Sequence, residues 1–306
     1  MAAKGFKYLA STAFFSSFLA VSGLCSAEDL KTVEVWKNLF TVVNGDGVDS
    51  NTIFLITRDG VVVVDTRVTP NEAEKVLVEI RKQTNLAIVY TINTHYHGDH
   101  TFGNQIFQSS GSIIAHENVR RSLSGDSGKD HLDSFKSRNI HELDKTVVTP
   151  PNMVFKDEME IFLGGYSLRL IHVRGHTDGD LFIYIKELKT LITGDLVVHK
   201  KIPNMSDAYI EDWISAMNKL GNLDAEIYIP GHGDPGGKPV LLAMRHYLFN
   251  LKTLVLKGLE EGKSLKETQD AARPVLIKKY KSWENLDLID ANIQRAYLEY
   301  SLRKAS

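Results

Sequence analysis

From Val33 to Asp65, short apolar and β-branched runs alternate with turn signals. Phe40-Thr-Val-Val43, Thr52-Ile-Phe-Leu-Ile-Thr57 and Val61-Val-Val-Val64 are separated by Asn44-Gly45-Asp-Gly47 and Asp59-Gly60, which predicts an antiparallel meander. Pro70-Asn71 then opens a stretch with apolar residues at Ala73, Val76, Leu77, Val78 and Ile80, the spacing of a helix. Ala87 to Ile92 reads as a buried strand that delivers the chain to Thr94-His95. After another strand at Ser112 to Ala115, residues 116–149 are polar and charged and carry Ser124-Gly125-Asp-Ser-Gly128. That pattern predicts a solvated helix-and-loop insertion, with a substrate lid as the alternative.

A second series of strands is predicted at Met159 to Leu163, Tyr166 to Val173, Leu181 to Ile185 and Thr190 to Thr193, with turns at Gly164-Gly165 and Lys186-Glu187. A helix from about Ile210 to Leu220 and a strand at Glu226 to Ile229 lead to Pro230-Gly231-His232. From Lys238 to Ser306 the spacing is helical nearly throughout, broken by Gly262 and Pro274 and ending in an amphipathic run from Leu286 to Leu302. Leu248, Leu251, Leu254 and Val255 form a stripe suited to packing. Two meanders, each followed by helices, predict an α+β fold in which two sheets pack face to face with helices outside and active residues on loops at one edge.

With 43% of its 306 residues hydrophobic and 24% charged, the chain has the composition of a globular protein with a large core. Lys4 and Lys7 precede an apolar stretch from Tyr8 to Leu24, and Cys25-Ser-Ala27 precedes Glu28-Asp29, the pattern of a secretory signal peptide cleaved after Ala27. Ser11, Thr12, Ser16, Ser17 and Ser22 interrupt the apolar run and make it a poor membrane anchor. The expected organisation is a signal peptide at 1–27, a catalytic domain at 28–240 and a helical C-terminal extension at 241–306, in a periplasmic or secreted protein with no membrane span after cleavage. Cys25 is the one cysteine, so the processed chain has no thiol ligand and no disulfide. Its 34 basic and 38 acidic side chains give a net charge of −4 and no basic stripe, which argues against a nucleic-acid partner and leaves a small-molecule substrate.

The candidate chemistry lies in His95-Tyr-His97-Gly-Asp99-His100, at the end of a buried strand. In extended backbone His95 and His97 point to the same side and can face one ion, and Gly98 permits a turn that redirects Asp99 and His100 towards a second. His176, Asp195 and His232, each beside glycine at a strand end, supply single candidate ligands. The isolated His116, His131, His141, His172, His199 and His246 read as ordinary surface or core residues. Asp178 or Asp180 could orient a metal-bound histidine, although acidic loop residues are more often simply solvated.

In these motifs and their order, residues 33 to 240 resemble the metallo-β-lactamase superfamily. The resemblance implies a four-layer αββα sandwich, a first metal on His95, His97 and His176, a second on Asp99, His100 and His232, and Asp195 bridging them. It also implies Asp99 and Asp195 as catalytic carboxylates and zinc as the metal, with iron or manganese compatible with the same nitrogen and oxygen donors. Two ions about 3.5–4 Å apart lower the pKa of a shared water towards 7. The implied activity is hydrolysis of an ester, thioester, lactone or β-lactam.

Asp195 stands where many β-lactamases of this type carry cysteine, and Val198 where they carry a substrate-binding lysine. His199, Lys200 and Lys201 follow, as surface charge or as a substitute anion grip. Length, leader and helical tail resemble the exported zinc hydrolases that accompany bacterial quinoprotein systems. The basic glutathione-binding cluster of glyoxalase II has no counterpart from Lys238 onward. The contrasting class is a mononuclear iron persulfide dioxygenase. His97 stands where the related diiron flavoproteins have glutamate, and the second-metal set argues against a single iron. A metal-binding protein that has lost its activity is the third reading, opposed by the intact set of candidate ligands.

Overall fold

The computed structural model describes residues 30–43, 50–137 and 142–305. The expected signal peptide with Cys25, the turn at Asn44 to Gly47, and His141 lie outside the described residues. Strands β1 (Lys31–Trp36), β2 (Leu39–Val43), β3 (Thr52–Thr57) and β4 (Gly60–Val64) form the antiparallel meander. Helix α1 (Pro70–Gln83) starts where the Thr69 side chain accepts the Glu72 N–H and Pro70 fills the first turn. It returns the chain to β5 (Ile88–Ile92), parallel to β4.

Two single turns, α2 (Gly98–Thr101) and α3 (Asn104–Phe107), precede β6 (Ser112–His116), and α4 (Glu117–Ser122) and α5 (Gly125–Lys136) precede β7 (Met153–Phe155). This sheet has seven strands in the order β1 to β7. The other has five: β8 (Glu158–Leu163), β9 (Tyr166–His172), β10 (Leu181–Ile185) and β11 (Thr190–Val198) are antiparallel, and α6 (Ile210–Gly221) leads to β12 (Ile227–His232), parallel to β11. The tail is α7 (Lys238–Glu260), α8 (Leu265–Tyr280) and α9 (Ile289–Ala305).

Alternation along the strands builds the layers. Val62 and Val64 meet Leu168, Leu170, Leu181 and Ile183 between the sheets, while Val61 and Val63 face Ala73, Val76 and Ile80 of α1 on the other side. The second sheet turns Phe182, Leu191 and Tyr228 outward onto Trp213, Met217, Leu241 and Leu248. Strands covered on both faces carry near-continuous apolar runs, which is why β4 reads as uninterrupted valine. The result is the α+β, four-layer αββα sandwich with its C-terminal helical extension.

Three details differ from expectation. Residues 116–149 are not merely solvated, because Val119, Leu132, Phe135 and Leu143 are buried. Strand β11 runs through Gly194-Asp195 to Val198 instead of ending at Thr193. Pro274 does not break α8, since it and Asp270, whose carbonyl loses its helical donor, lie on the exposed face where water substitutes. Ala272, Leu276 and Tyr280 are buried, and a Ser264–Glu267 capping box secures the start.

Candidate metal centre

The parallel strands β4 and β5 end side by side, so Asp65, two residues before Arg67, and Thr94-His95 emerge at one edge. Leu181 N–H donates to the Thr94 carbonyl at 2.8 Å and ties this edge to the second sheet. The turn of α2 follows immediately and carries Asp99 and His100. Gly98 serves it differently from expectation: its φ is not positive, and a Cβ there would lie 2.2 Å from the Phe102 ring. Close packing, not backbone freedom, requires the glycine.

From the other sheet come His176, in the loop after β9, Asp195, within β11, and His232, at the end of β12. All seven predicted residues are thus brought together. His97 Nδ1 lies 3.1 Å from His95 Nε2 and 3.0 Å from His176 Nε2. Three nitrogens converge there with nearly the roughly 3.3 Å separation of tetrahedral ligands on zinc bonds of about 2.0–2.1 Å. His232 Nε2 lies 3.2 Å from Asp99 Oδ2, and His100 Nε2 is 3.5 Å from the same oxygen. Asp195 stands between the groups, with Oδ2 at 3.5 Å from His176 Nε2 and 3.4 Å from His232 Nε2, and Oδ1 at 3.3 Å from His100 Nε2. His100 Nε2 and Asp195 Oδ1 are buried and make no hydrogen bond, an arrangement that a cation between them would satisfy. The donor set, nitrogen and oxygen only, fits a divalent metal.

Hydrogen bonds behind the cluster fix which ring nitrogen faces it. His100 Nδ1 donates to Asp65 Oδ2 at 2.8 Å, and His95 Nδ1 donates to Thr94 Oγ1, which itself donates to Asp65 Oδ2. Asp65 has φ 59°, an uncommon left-handed conformation for a residue with a side chain, and its carboxylate meets His100 directly and His95 through the Thr94 hydroxyl. His97 Nε2 donates to Asp207 Oδ2 at 3.1 Å. Neither Asp65 nor Asp207 was singled out in the sequence. Asp178 instead pairs with Arg121 at 2.7 Å, and Asp180 accepts the Thr177 N–H and hydroxyl, which shapes the loop carrying His176.

Burial, followed by the neighbouring imidazoles, pushes His95 well below the usual histidine range and His176 down to about 3. Burial opposes the charged forms of His100 and His232 too, but Asp195 and Asp99 outweigh it, raising His100 well above its ordinary value and His232 to about 9. Desolvation opposes the charged forms of half-buried Asp99 and buried Asp195, yet His100 and His232 hold both carboxyls below the carboxylate range. Burial pushes Asp180 up to about 8. The cluster opens into a cavity of about 630 Å³. His131, Ser134 and Phe135 of α5 wall one side, and Asn285, Asp287 and Leu288, between α8 and α9, wall the other. Both segments therefore do more than cover the core.

The metallo-beta-lactamase superfamily model matches residues 45–232, which holds the whole cluster. The chain belongs to the metallo-beta-lactamase superfamily. Within it, a linear primary-alkylsulfatase from Pseudomonas sp. (strain ATCC 19151) is 24% identical over 212 residues, a match spanning 58% of this chain and only 40% of that enzyme. A metallo-beta-lactamase type 2 from Bacillus sp. (strain 170) is 27% identical over 206 residues, 65% of this chain and 72% of the relative. The solved metallo-beta-lactamase from Pontibacter korlensis superposes with a TM-score of 0.61 at 20% identity, over 72% of this chain and 99% of its own. The superfamily sandwich is thus complete in a match that leaves more than a quarter of this chain outside it.

Proposed function

We propose that this chain is a metal-dependent hydrolase with a two-metal centre, most simply of zinc, acting on an ester, thioester, lactone or β-lactam. The observation that carries the reading is the position of Asp195, within 3.5 Å of histidine nitrogens in both groups. His95, His97 and His176 would hold one ion and Asp99, His100 and His232 the other, with Asp195 shared. When bound, such a pair of ions supplies a water acidic enough to act as nucleophile at neutral pH and polarises the carbonyl under attack. Asp99 and Asp195 line the cavity; an Asp99 oxygen left free by the ion would take the proton of the attacking water and return it to the leaving group, and Asp195, as the shared ligand, would orient that water. Asp65 and Asp207 keep the ligating nitrogens turned inward.

The alkylsulfatase and β-lactamase relatives support hydrolysis without choosing the bond. The expected leader at 1–27 would place the enzyme outside the cytoplasm, and no helix of the described residues is long and apolar enough to cross a membrane. Elemental analysis of the purified protein, with assays on thioesters, lactones, aryl esters and a cephalosporin, tests the reading. About two zinc per chain and turnover of one of these classes are expected. One iron per chain, oxygen uptake with a persulfide and no hydrolysis would replace the reading with a dioxygenase.

Asp207→Asn is expected to weaken metal binding at the three-histidine group by about 10- to 100-fold, since the amide cannot match the carboxylate as acceptor from His97 Nε2. Competition with a chromophoric chelator reads the affinity directly. An unchanged first-site affinity would show that the Asp207 contact does not set the His97 ring.

A further inference from the structure

Among the described residues that line the cavity, Lys201 is the one lysine and there is no arginine. Its side chain is only 8% exposed, so its ammonium has little water to turn to, and it is bound by the carboxylate of Glu284. The pair is built into the backbone: Ile202 N–H donates to the Glu284 carbonyl at 3.0 Å, and Glu284 N–H donates to the Lys200 carbonyl at 2.9 Å. Glu284 comes from the tail segment immediately before the cavity-lining Asn285. Among the described residues that line the cavity, no second lysine stands near its other non-ligand acids, Asp207 and Asp287. An anionic group reaching this wall would meet two carboxylates and a cation already engaged.

We propose that Glu284 is a specificity-determining residue which, by holding the Lys201 ammonium, directs the cavity to substrates that carry no anionic group beyond the bond cleaved. The proposal rests on the hydrolase reading and narrows its substrate class to neutral or cationic acyl compounds. Discrimination here works by offsetting a charge, because an incoming carboxylate must share the Lys201 ammonium with Glu284, whose own charge already neutralises it.

The test compares two 4-nitrophenyl esters on the metal-loaded protein, one of adipic acid with its distal carboxylate free and one of its monoamide, nearly equal in shape. In the wild-type protein kcat/KM is expected to favour the amide by about tenfold, the worth of one charge-assisted contact. Glu284→Gln should raise the carboxylate-to-amide ratio by about tenfold, and adding Lys201→Met should return it to the wild-type value. A ratio unchanged by Glu284→Gln, or a wild-type preference for the carboxylate that Lys201→Met abolishes, overturns the proposal.

If neither ester is hydrolysed, aryl esters fall outside the substrate class, and the hydrolase reading is judged on the thioester, lactone and cephalosporin assays. Stabilisation by inorganic sulfate then decides on Glu284 without turnover. A rise in Tm with sulfate that is larger in Glu284→Gln than in wild type or the double variant supports the assignment, and equal responses in all three proteins overturn it.

Discussion

If the centre holds two ions as proposed, Asp195→Asn is expected to reduce the metal content to one ion per chain and to lower kcat/KM by about 10²- to 10³-fold. Asp195 Oδ2 faces His176 on one side and His232 on the other, and Oδ1 faces His100. An amide keeps one oxygen but replaces the other with a donor and removes the negative charge. Whichever way it turns, one metal position loses an anionic ligand and gains an N–H pointing inward. The expected loss corresponds to removing the electrostatic support of one of two centres acting on the developing charge. Metal analysis and kinetics on the same preparation separate the effects. Two ions at wild-type affinity in this variant would disprove the bridging role.

Gly231→Ala is expected to act on the same carboxylate from behind. A Cβ at Gly231 would lie 2.0 Å from Asp195 Oδ1, 2.8 Å from the Gly194 carbonyl carbon and 2.9 Å from Asp195 N. Two of those atoms are backbone of the buried β11, so relief must come from separation of β11 and β12 or from rotation of Asp195. Either outcome moves a candidate ligand by more than the tolerance of a preorganised site. Second-site metal affinity should fall at least about tenfold and stability by about 1–3 kcal/mol, the cost of overpacking a tight core. Chelator competition and denaturant unfolding check the two parts. Wild-type values in both would show that β12 has slack this close approach denies.

The layered fold was legible because its strands announce themselves twice, by β-branched composition and by turns such as Asp59-Gly60 and Gly164-Gly165. The seven candidate residues were legible because four occupy one short motif and the other three each stand beside a glycine where the pattern of strands is interrupted. Asp65 was missed since its role depends on β4 and β5 being parallel neighbours that end together, a pairing no local pattern reports. Asp207 lies in irregular chain between β11 and α6, where periodicity carries no signal. His131 passed for an ordinary histidine because only the packing of α5 brings it to the cavity, its ring 6.0 Å from that of His97. The stripe of α7 did announce its packing, and Leu248, Leu251 and Val255 are fully buried. Nothing in that stripe foretold that the segment after α8 would reach the cavity.

The centre draws its residues from the edges of both sheets, with His95 to His100 on one side and His176, Asp195 and His232 on the other. An ion held by His95 and His176 would close a loop of about 80 residues, and one held by His100 and His232 a loop of about 130, spans over which a cross-link removes several kcal/mol of unfolded-chain entropy. A chain with a single cysteine cannot form that staple from its own sulfur. The ions of the proposed centre would thus also serve as long-range fasteners, so a chelator should open the sandwich as well as abolish hydrolysis.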